Sequence, residues 1–142
     1  MIFTHKQIIK KKWGYEKIIT NDREYCGKIL TVLPNGNTGS IHYHKQKIET
    51  FHMLKGKLEL ELYILDNKDN PSLKKCIIEK FILNIGDSIT LHPYKGHRFW
   101  AIDEVAEFIE FSTQDSPEDS YRLLPSGFIT VDAGGGNNLS SE

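Results

Sequence analysis

The chain has 142 residues with a formal net charge of −1 at pH 7, a size typical of one domain that can bury its own core. Positive charge is clustered only at Lys10-Lys11-Lys12, which we predict to be a solvated N-terminal arm. The composition therefore favours neither a nucleic-acid partner nor a membrane partner.

The two cysteines, Cys26 and Cys76, are too few to indicate a disulfide framework. The first residues contain no apolar stretch typical of a signal peptide, and no apolar run is long enough to cross a bilayer. We therefore predict reduced thiols and a cytoplasmic location.

Short apolar stretches of period two, separated by turn residues, predict strands along most of the chain. In chain order the predicted strands cover residues 28–33, 40–44, 50–54, 57–65, 76–83, 88–91, 98–102 and 106–112. A polar cluster at 66–71 predicts a hairpin loop, and no segment has the period of an amphipathic helix. The fold class is therefore all-β, a sandwich or barrel, with one domain over 1–130 and a flexible tail over 131–142.

One segment carries a ligand pattern for a metal ion. His42 and His44 are one residue apart on a predicted strand, so their side chains point to the same face. Glu49 follows after a short bend, and His97 on a later strand is predicted to complete the set. Three imidazoles and one carboxylate leave two coordination positions open, which is typical of catalytic and not structural sites.

These segments resemble the two sequence motifs of the cupin superfamily. The first motif is matched at every position, which are Gly36, His42, His44, Glu49 and Gly56. The second is matched at Gly86 and His97, but His92, Tyr94 and Ala101 stand where the family has Pro, Gly and Asn. The resemblance implies a double-stranded β-helix, a jelly-roll-like barrel, with one divalent transition metal: zinc, manganese, iron or nickel. It also implies a homodimer.

Alternation along the strands predicts the lining of a pocket beside the metal. If Glu49 and His97 point inward, so do Phe51, Met53 and Phe99. Apolar walls with a few polar groups describe a small-molecule site, although ordinary core packing is the alternative role for these residues.

The outer segments resemble the cupin domain of type II mannose-6-phosphate isomerases. The similar segments are 12–16, 28–32, 40–44 with Glu49, 108–114 and 118–122. The resemblance implies a small-molecule substrate, a sugar or sugar phosphate, and an aldose–ketose isomerase that works through a metal-stabilised enediolate. Lys28 and Arg122 are then candidate phosphate contacts by their charge, and Glu49 is a candidate catalytic base.

Two other functions use the same ligands and stay open from the sequence. A metal-dependent dioxygenase would need a redox-active iron or nickel and an apolar pocket. A sugar-binding cupin would have no turnover at all. Oxygen consumption would distinguish a dioxygenase from an isomerase. Turnover of a sugar would distinguish an isomerase from a sugar-binding cupin.

Overall fold

The computed structural model describes residues 7–131 and 137–141, and it confirms the all-β fold class. In chain order the strands are β1 (Gln7–Lys11), β2 (Gly14–Asn21), β3 (Cys26–Val32), β4 (Ile41–Tyr43), β5 (Glu49–Lys55), β6 (Leu58–Leu65), β7 (Cys76–Leu83), β8 (Ser88–Leu91), β9 (Lys95–Ala101), β10 (Ala106–Ser112), β11 (Tyr121–Leu124), β12 (Gly127–Val131) and β13 (Asn137–Ser141). Two short 3-10 helices, Leu73–Lys75 and Pro117–Asp119, interrupt the loops. Among the described residues, no helix has the length and apolar character needed to cross a membrane.

Eleven of the thirteen described strands form two antiparallel sheets around one core, and β12 and β13 form a separate pair. One sheet has six strands in the order β1-β2-β3-β10-β5-β8, and the other has five in the order β11-β4-β9-β6-β7. Neighbours in space are therefore often distant in sequence, as with β3 and β10. The core takes side chains from both sheets: Trp13, Leu30, Val32, Phe51, Met53, Leu58, Leu60, Leu83, Leu91, Phe99, Ala106 and Phe108.

The alternation in β6 produces the expected apolar inner face, but its outer face is less exposed than the charges suggest. Leu58 and Leu60 are fully buried, while Glu61, on the opposite face, is also buried. Arg98 of β9 is the reason, since its Nε donates to Glu61 Oε1 over 2.5 Å. The charge of Glu61 on the outer face of β6 can thus be buried because it pairs with Arg98 on the neighbouring strand β9.

Turn residues join the predicted strands where the sequence indicates. Gly56 connects β5 to β6 with φ of +72°, and a Cβ there would lie 2.3 Å from Val105 O. Only glycine fits this close approach. The polar cluster at 66–71 lies between β6 and β7, which pair antiparallel from Leu58–Leu83 to Leu65–Cys76.

The N-terminal hairpin was not predicted. The lysine cluster at 10–12 is not an arm, because β1 pairs with β2 from Gln7–Ile18 to Lys11–Gly14. Lysine on an edge strand keeps its charge in water while its backbone pairs on one side. Such a strand shows little apolar alternation, which is why the sequence pattern missed it.

The C-terminal segment contains a strand pair. β13 pairs with β12 in register, from Gly127–Ser141 to Val131–Asn137. Residues 132–136 and 142 lie outside the described part of the chain. The flexibility of the tail therefore stays a prediction, although six of its residues lie in strands, Val131 in β12 and residues 137–141 in β13.

Candidate metal centre

Three histidines meet at one end of the core. His42 lies on β4 and His44 directly after it, so the period-two prediction places both on the inner face. His97 of β9 is the direct cross-strand partner of His42. The metal-ligating nitrogens of these three side chains all lie within 4.8 Å of one another. The topology thus brings together the two halves of the site that the sequence predicts.

Glu49, the first residue of β5, lies against the histidines. Its Oε1 is 2.9 Å from His97 Nε2 and 3.7 Å from His44 Nε2. Two ligand atoms about 2.1 Å from one cation, at right angles, lie about 3 Å apart. These distances are compatible with the carboxylate as a fourth ligand beside the three histidines.

Hydrogen bonds fix which imidazole nitrogen faces the site. Nδ1 of His42 lies 3.1 Å from Ser40 O, Nδ1 of His44 lies 2.7 Å from Asp119 O, and Nδ1 of His97 lies 3.0 Å from Lys95 O. A carbonyl oxygen only accepts, so each Nδ1 carries a proton and donates it. Each Nε2 is then the atom that faces the centre, as in ligating histidines of metal sites.

Two atoms at the centre support a bound cation. His44 Nε2 and Glu49 Oε1 are buried and make no hydrogen bond. The short contact of Glu49 Oε1 with His97 Nε2 is a hydrogen bond only when His97 carries a second proton. Buried polar atoms without partners are costly, and a divalent transition metal satisfies both. Three imidazoles and one carboxylate therefore fit such an ion.

The protonation states also suit metal binding. Burial, together with the neighbouring His97, lowers the pKa of His42 to about 3, so this imidazole is neutral. Burial opposes ionisation of Glu49, but the charge and hydrogen bond of His97 bring its pKa well below the usual range. Glu49 in turn raises the pKa of His97 against the effect of burial. A cation would take the place of that proton on His97.

A cavity of about 590 Å³ opens beside the four ligands. Its apolar wall consists of Trp13, Leu30, Phe51 and Phe99. Its charged wall consists of Glu16, Lys28, Lys47, Glu110 and Asp115. Arg122 is exposed and lies at the rim. A cavity of this size holds a small molecule such as a monosaccharide.

Most of the predicted pocket residues line this cavity, but one does not. Lys28, Phe51, Phe99 and Arg122 are in the lining, whereas Met53 is not. Met53 shares the inner face of β5 with Phe51, and only 1% of its surface is exposed, within the apolar core. Alternation predicted correctly that Met53 faces inward, but it does not give the distance of a side chain from the cavity. The assignment of Met53 to the pocket is therefore corrected to core packing.

Four residues of the charged wall were missed, namely Glu16, Lys47, Glu110 and Asp115. Lys47 Nζ lies 3.1 Å from Glu49, 2.9 Å from Glu110 and 3.1 Å from Asp115. Lys28 pairs with Asp115 and lies 3.8 Å from Glu16. Lys47 has the same strand parity as Glu49, a signal that could have indicated an inward side chain. Asp115 lies in a loop, where no periodicity applies.

Burial changes the acidity of the charged wall. Burial, and next to it the negative charge of Glu49, raise the pKa of Glu110 to about 7, although Lys47 acts in the opposite direction. Burial opposes the charge of Lys47, yet its three carboxylate neighbours raise its pKa. At neutral pH the cavity therefore holds a lysine that stays charged and a carboxyl that can take up or release a proton.

The turn before His97 contains a backbone conformation that glycine usually adopts, but the residue at this position is a tyrosine. Tyr94 occupies the glycine position of the second motif and has φ of +63°, in the left-handed region. Its N–H donates to His44 O over 2.8 Å, and its ring stacks on Tyr43 at 5.9 Å. These contacts offset the cost of the conformation, which is about 1–2 kcal/mol. The departure from the motif leaves the position of His97 intact.

Similarity to solved structures identifies the fold. An oxalate decarboxylase of Lactobacillus farciminis, solved as a formate complex, matches with a TM-score of 0.63 and 20% identity, over 83% of this chain and 34% of that one. The capsular polysaccharide assembling protein CapF of Staphylococcus aureus matches with a TM-score of 0.68 and 17% identity, over 84% and 34%. The chain thus spans about a third of the length of these structures, and at such identities the likeness shows the fold alone. No curated protein matches the sequence.

The sequence itself matches a family of sugar isomerases. The family model described as D-lyxose isomerase matches residues 9–126, which include the four predicted metal ligands and both walls of the cavity. The match supports the cupin superfamily and a sugar isomerase kind of function, and it leaves the narrower resemblance to mannose-6-phosphate isomerases unconfirmed. Since it covers most of the chain, the protein belongs to the D-lyxose isomerase family.

Proposed function

We propose that the protein is a metal-dependent aldose–ketose isomerase of free monosaccharides, with D-lyxose as the first substrate to test. The observation that carries the proposal is the convergence of three histidines and Glu49 beside a cavity of about 590 Å³. A divalent cation held by His42, His44, Glu49 and His97 would polarise the substrate carbonyl and stabilise the charge of an enediolate.

The chemistry also needs a group that moves a proton between neighbouring carbons. Glu49 was the candidate from sequence, but its carboxylate lies among the histidines. We assign the role to Glu110, which lines the cavity 2.9 Å from Lys47 Nζ. Its pKa of about 7 lies near neutral pH, where a general base is most effective. Lys47 keeps its charge and is placed to stabilise negative charge on a substrate oxygen.

The charges of the cavity favour a neutral sugar. Lys28 pairs with Glu16 and Asp115, and Lys47 with Glu49, Glu110 and Asp115. Cations that already share several carboxylates are poor partners for a phosphate.

A phosphorylated sugar such as mannose 6-phosphate is the second candidate. Arg122 supports it, because this exposed side chain at the rim makes no ion pair with any residue between 7 and 127 in the structure. In that case Arg122, and not Lys28, would contact the phosphate.

The experiment is an isomerase assay on protein loaded with Mn²⁺, Co²⁺ or Zn²⁺, with D-lyxose, D-mannose and mannose 6-phosphate as substrates. Ketose formation and exchange of the C2 hydrogen with deuterated water are measured together. We expect exchange and ketose formation with a free aldose. Preference for the phosphate by more than tenfold would favour the second candidate.

Two variants test the assignment of Glu110. Glu110→Gln is expected to lower kcat by about 10²–10⁴-fold while leaving metal content unchanged. The control is Glu107→Gln on the opposite face of the same strand, which does not line the cavity and should retain activity. Oxygen uptake without sugar turnover would instead support a dioxygenase, and sugar binding without either would support a binding protein.

A further inference from the structure

The loop between two metal ligands is held by another part of the chain. Residues 45–48 connect His44 to Glu49, and all four of their backbone N–H groups donate to side chains of the segment 113–119. Asp119 Oδ1 accepts from Lys45 N at 2.9 Å and from Gln46 N at 3.2 Å. Asp119 Oδ2 accepts from Lys47 N at 2.9 Å and also lies 3.2 Å from Gln46 N.

The fourth N–H of the loop completes this arrangement. Ile48 N donates to Thr113 Oγ1 over 3.1 Å, and Thr113 N donates back to Ile48 O over 3.0 Å. The acceptors are between 65 and 74 residues away in sequence. The loop thus takes its conformation from long-range contacts and not from hydrogen bonds of its own.

Asp119 also contacts a metal ligand directly. Its backbone oxygen accepts the Nδ1 proton of His44 over 2.7 Å, the shortest of the three histidine–carbonyl bonds. His42 and His97 use carbonyls only two residues earlier in the chain. Only His44 depends on a remote residue for the orientation of its ring.

We propose that Asp119 is a positioning residue of the metal centre, which sets the angle of His44 through its backbone and the distance from His44 to Glu49 through its carboxylate. The inference rests on the proposed metal site. One carboxylate that receives three consecutive backbone N–H groups is a strong and geometrically restrictive contact. Without the Asp119 carboxylate, the loop 45–48 can change conformation. Because His44 and Glu49 flank this loop, such a change would alter the distance between these two proposed ligands.

The segment 113–119 is itself fixed at its start. Asn21 bonds the backbone of Asp115 in both directions, at 2.9 and 3.0 Å. The Asp115 carboxylate pairs with Lys28 and with Lys47. Asp119 therefore belongs to a segment that is fixed at Asp115, and Asp115 is itself part of the charged wall of the cavity.

The test compares Co²⁺ binding by metal-free wild-type protein with that of Asp119→Ala and Asp119→Asn. Loss of an outer-shell partner typically lowers metal affinity by about 10–100-fold, and we expect this loss for the alanine variant. Asparagine retains one acceptor oxygen, so an intermediate loss is expected. The visible absorption of bound Co²⁺ should change in shape, because the ligand geometry changes and not only the occupancy.

Amide hydrogen exchange gives a readout that needs no metal. In wild-type protein the amides of residues 45–47 should exchange slowly. In Asp119→Ala they should exchange at least tenfold faster, and in Asp119→Asn the increase should be smaller, while Ile48 keeps its bond to Thr113 in both variants. This measurement also remains informative if the alanine variant is too unstable to load, since the asparagine variant has the size of the native residue.

The matched control is Glu118→Gln, which removes the same charge from the neighbouring exposed residue. Glu118 accepts a hydrogen bond from Ser116 Oγ and makes no hydrogen bond or ion pair with residues 44–49. Unchanged Co²⁺ affinity in Asp119→Ala would overturn the inference, as would an equal loss in the control. Failure of wild-type protein to bind Co²⁺ would overturn the proposed metal site and the inference with it, whereas binding without sugar turnover would count against the proposed function alone.

Discussion

The two walls of the cavity differ in what they contribute. The apolar wall, with Phe51 and Phe99, continues directly into the core of the barrel. The charged wall contains buried Lys47 and Glu110 and half-buried Asp115, which form ion pairs with one another. Apolar burial stabilises the fold, whereas buried ion pairs contribute little net stability and are retained where chemistry needs them. Stability and function are thus separated across a single cavity.

The largest effect is expected where the metal ligands are changed. His44→Ala should lower metal affinity by more than the roughly 100-fold that outer-shell losses cost, and should abolish turnover. The barrel should stay folded, because its core does not include this residue. Metal content and circular dichroism check both points. Global unfolding of the variant would show that the site is structural. It would then contradict the view that the apolar wall supplies stability and the polar groups supply function.

On the apolar wall the effect should fall on stability. Phe51→Ala removes a ring that contacts Phe108 at a centroid distance of 4.7 Å, and should destabilise the protein by about 3–5 kcal/mol. Urea unfolding measures the change. Phe111→Ala is the control, since this ring is 55% exposed and its loss should change stability by about 0.5 kcal/mol or less. Similar losses in the two variants would contradict the role assigned to Phe51.

The contribution of the charged wall to the free energy of unfolding should depend on pH. The pKa of Glu110 rises in the fold from 4.5 to about 7, so the protonated carboxyl favours folding. That contribution is fully present below about pH 4.5 and is lost as pH rises through about 7. Relative to Glu110→Gln, metal-free wild-type protein should lose up to about 3 kcal/mol over this range. Unfolding curves at several pH values measure it, and parallel curves for the two proteins would contradict the prediction.

The inward direction of the histidines and of part of the apolar wall could be predicted from the sequence, because both follow local rules, whereas Trp13 and Leu30 of that wall were missed. His42 and His44 share a face by strand parity, and Phe51 and Phe99 follow from the same alternation. Met53 shows the limit of the rule, since parity gives the face of a side chain and not its distance from the cavity. Strand β1 was missed because its lysines hide the pattern.

The charged wall and its support could not be predicted in the same way. Asp115 and Asp119 lie in a loop, and only the pairing of distant strands brings them to residues 44–49. Glu110 lies on a predicted strand, but its partner Lys47 lies in a different part of the sequence. Long-range contacts of this kind leave no local pattern. The homodimer implied by the cupin resemblance also stays a prediction.

The left-handed Tyr94 has a consequence for consensus design. A designer who restored the motif's glycine at this position would ease the backbone by about 1–2 kcal/mol. The same change would remove a ring that stacks on Tyr43, which stacks in turn on Tyr121 at 5.2 Å. The ring also lies under Lys68 of the β6–β7 loop. The tyrosine therefore braces three segments that a glycine would leave unconnected, and the consensus residue would not be an improvement here.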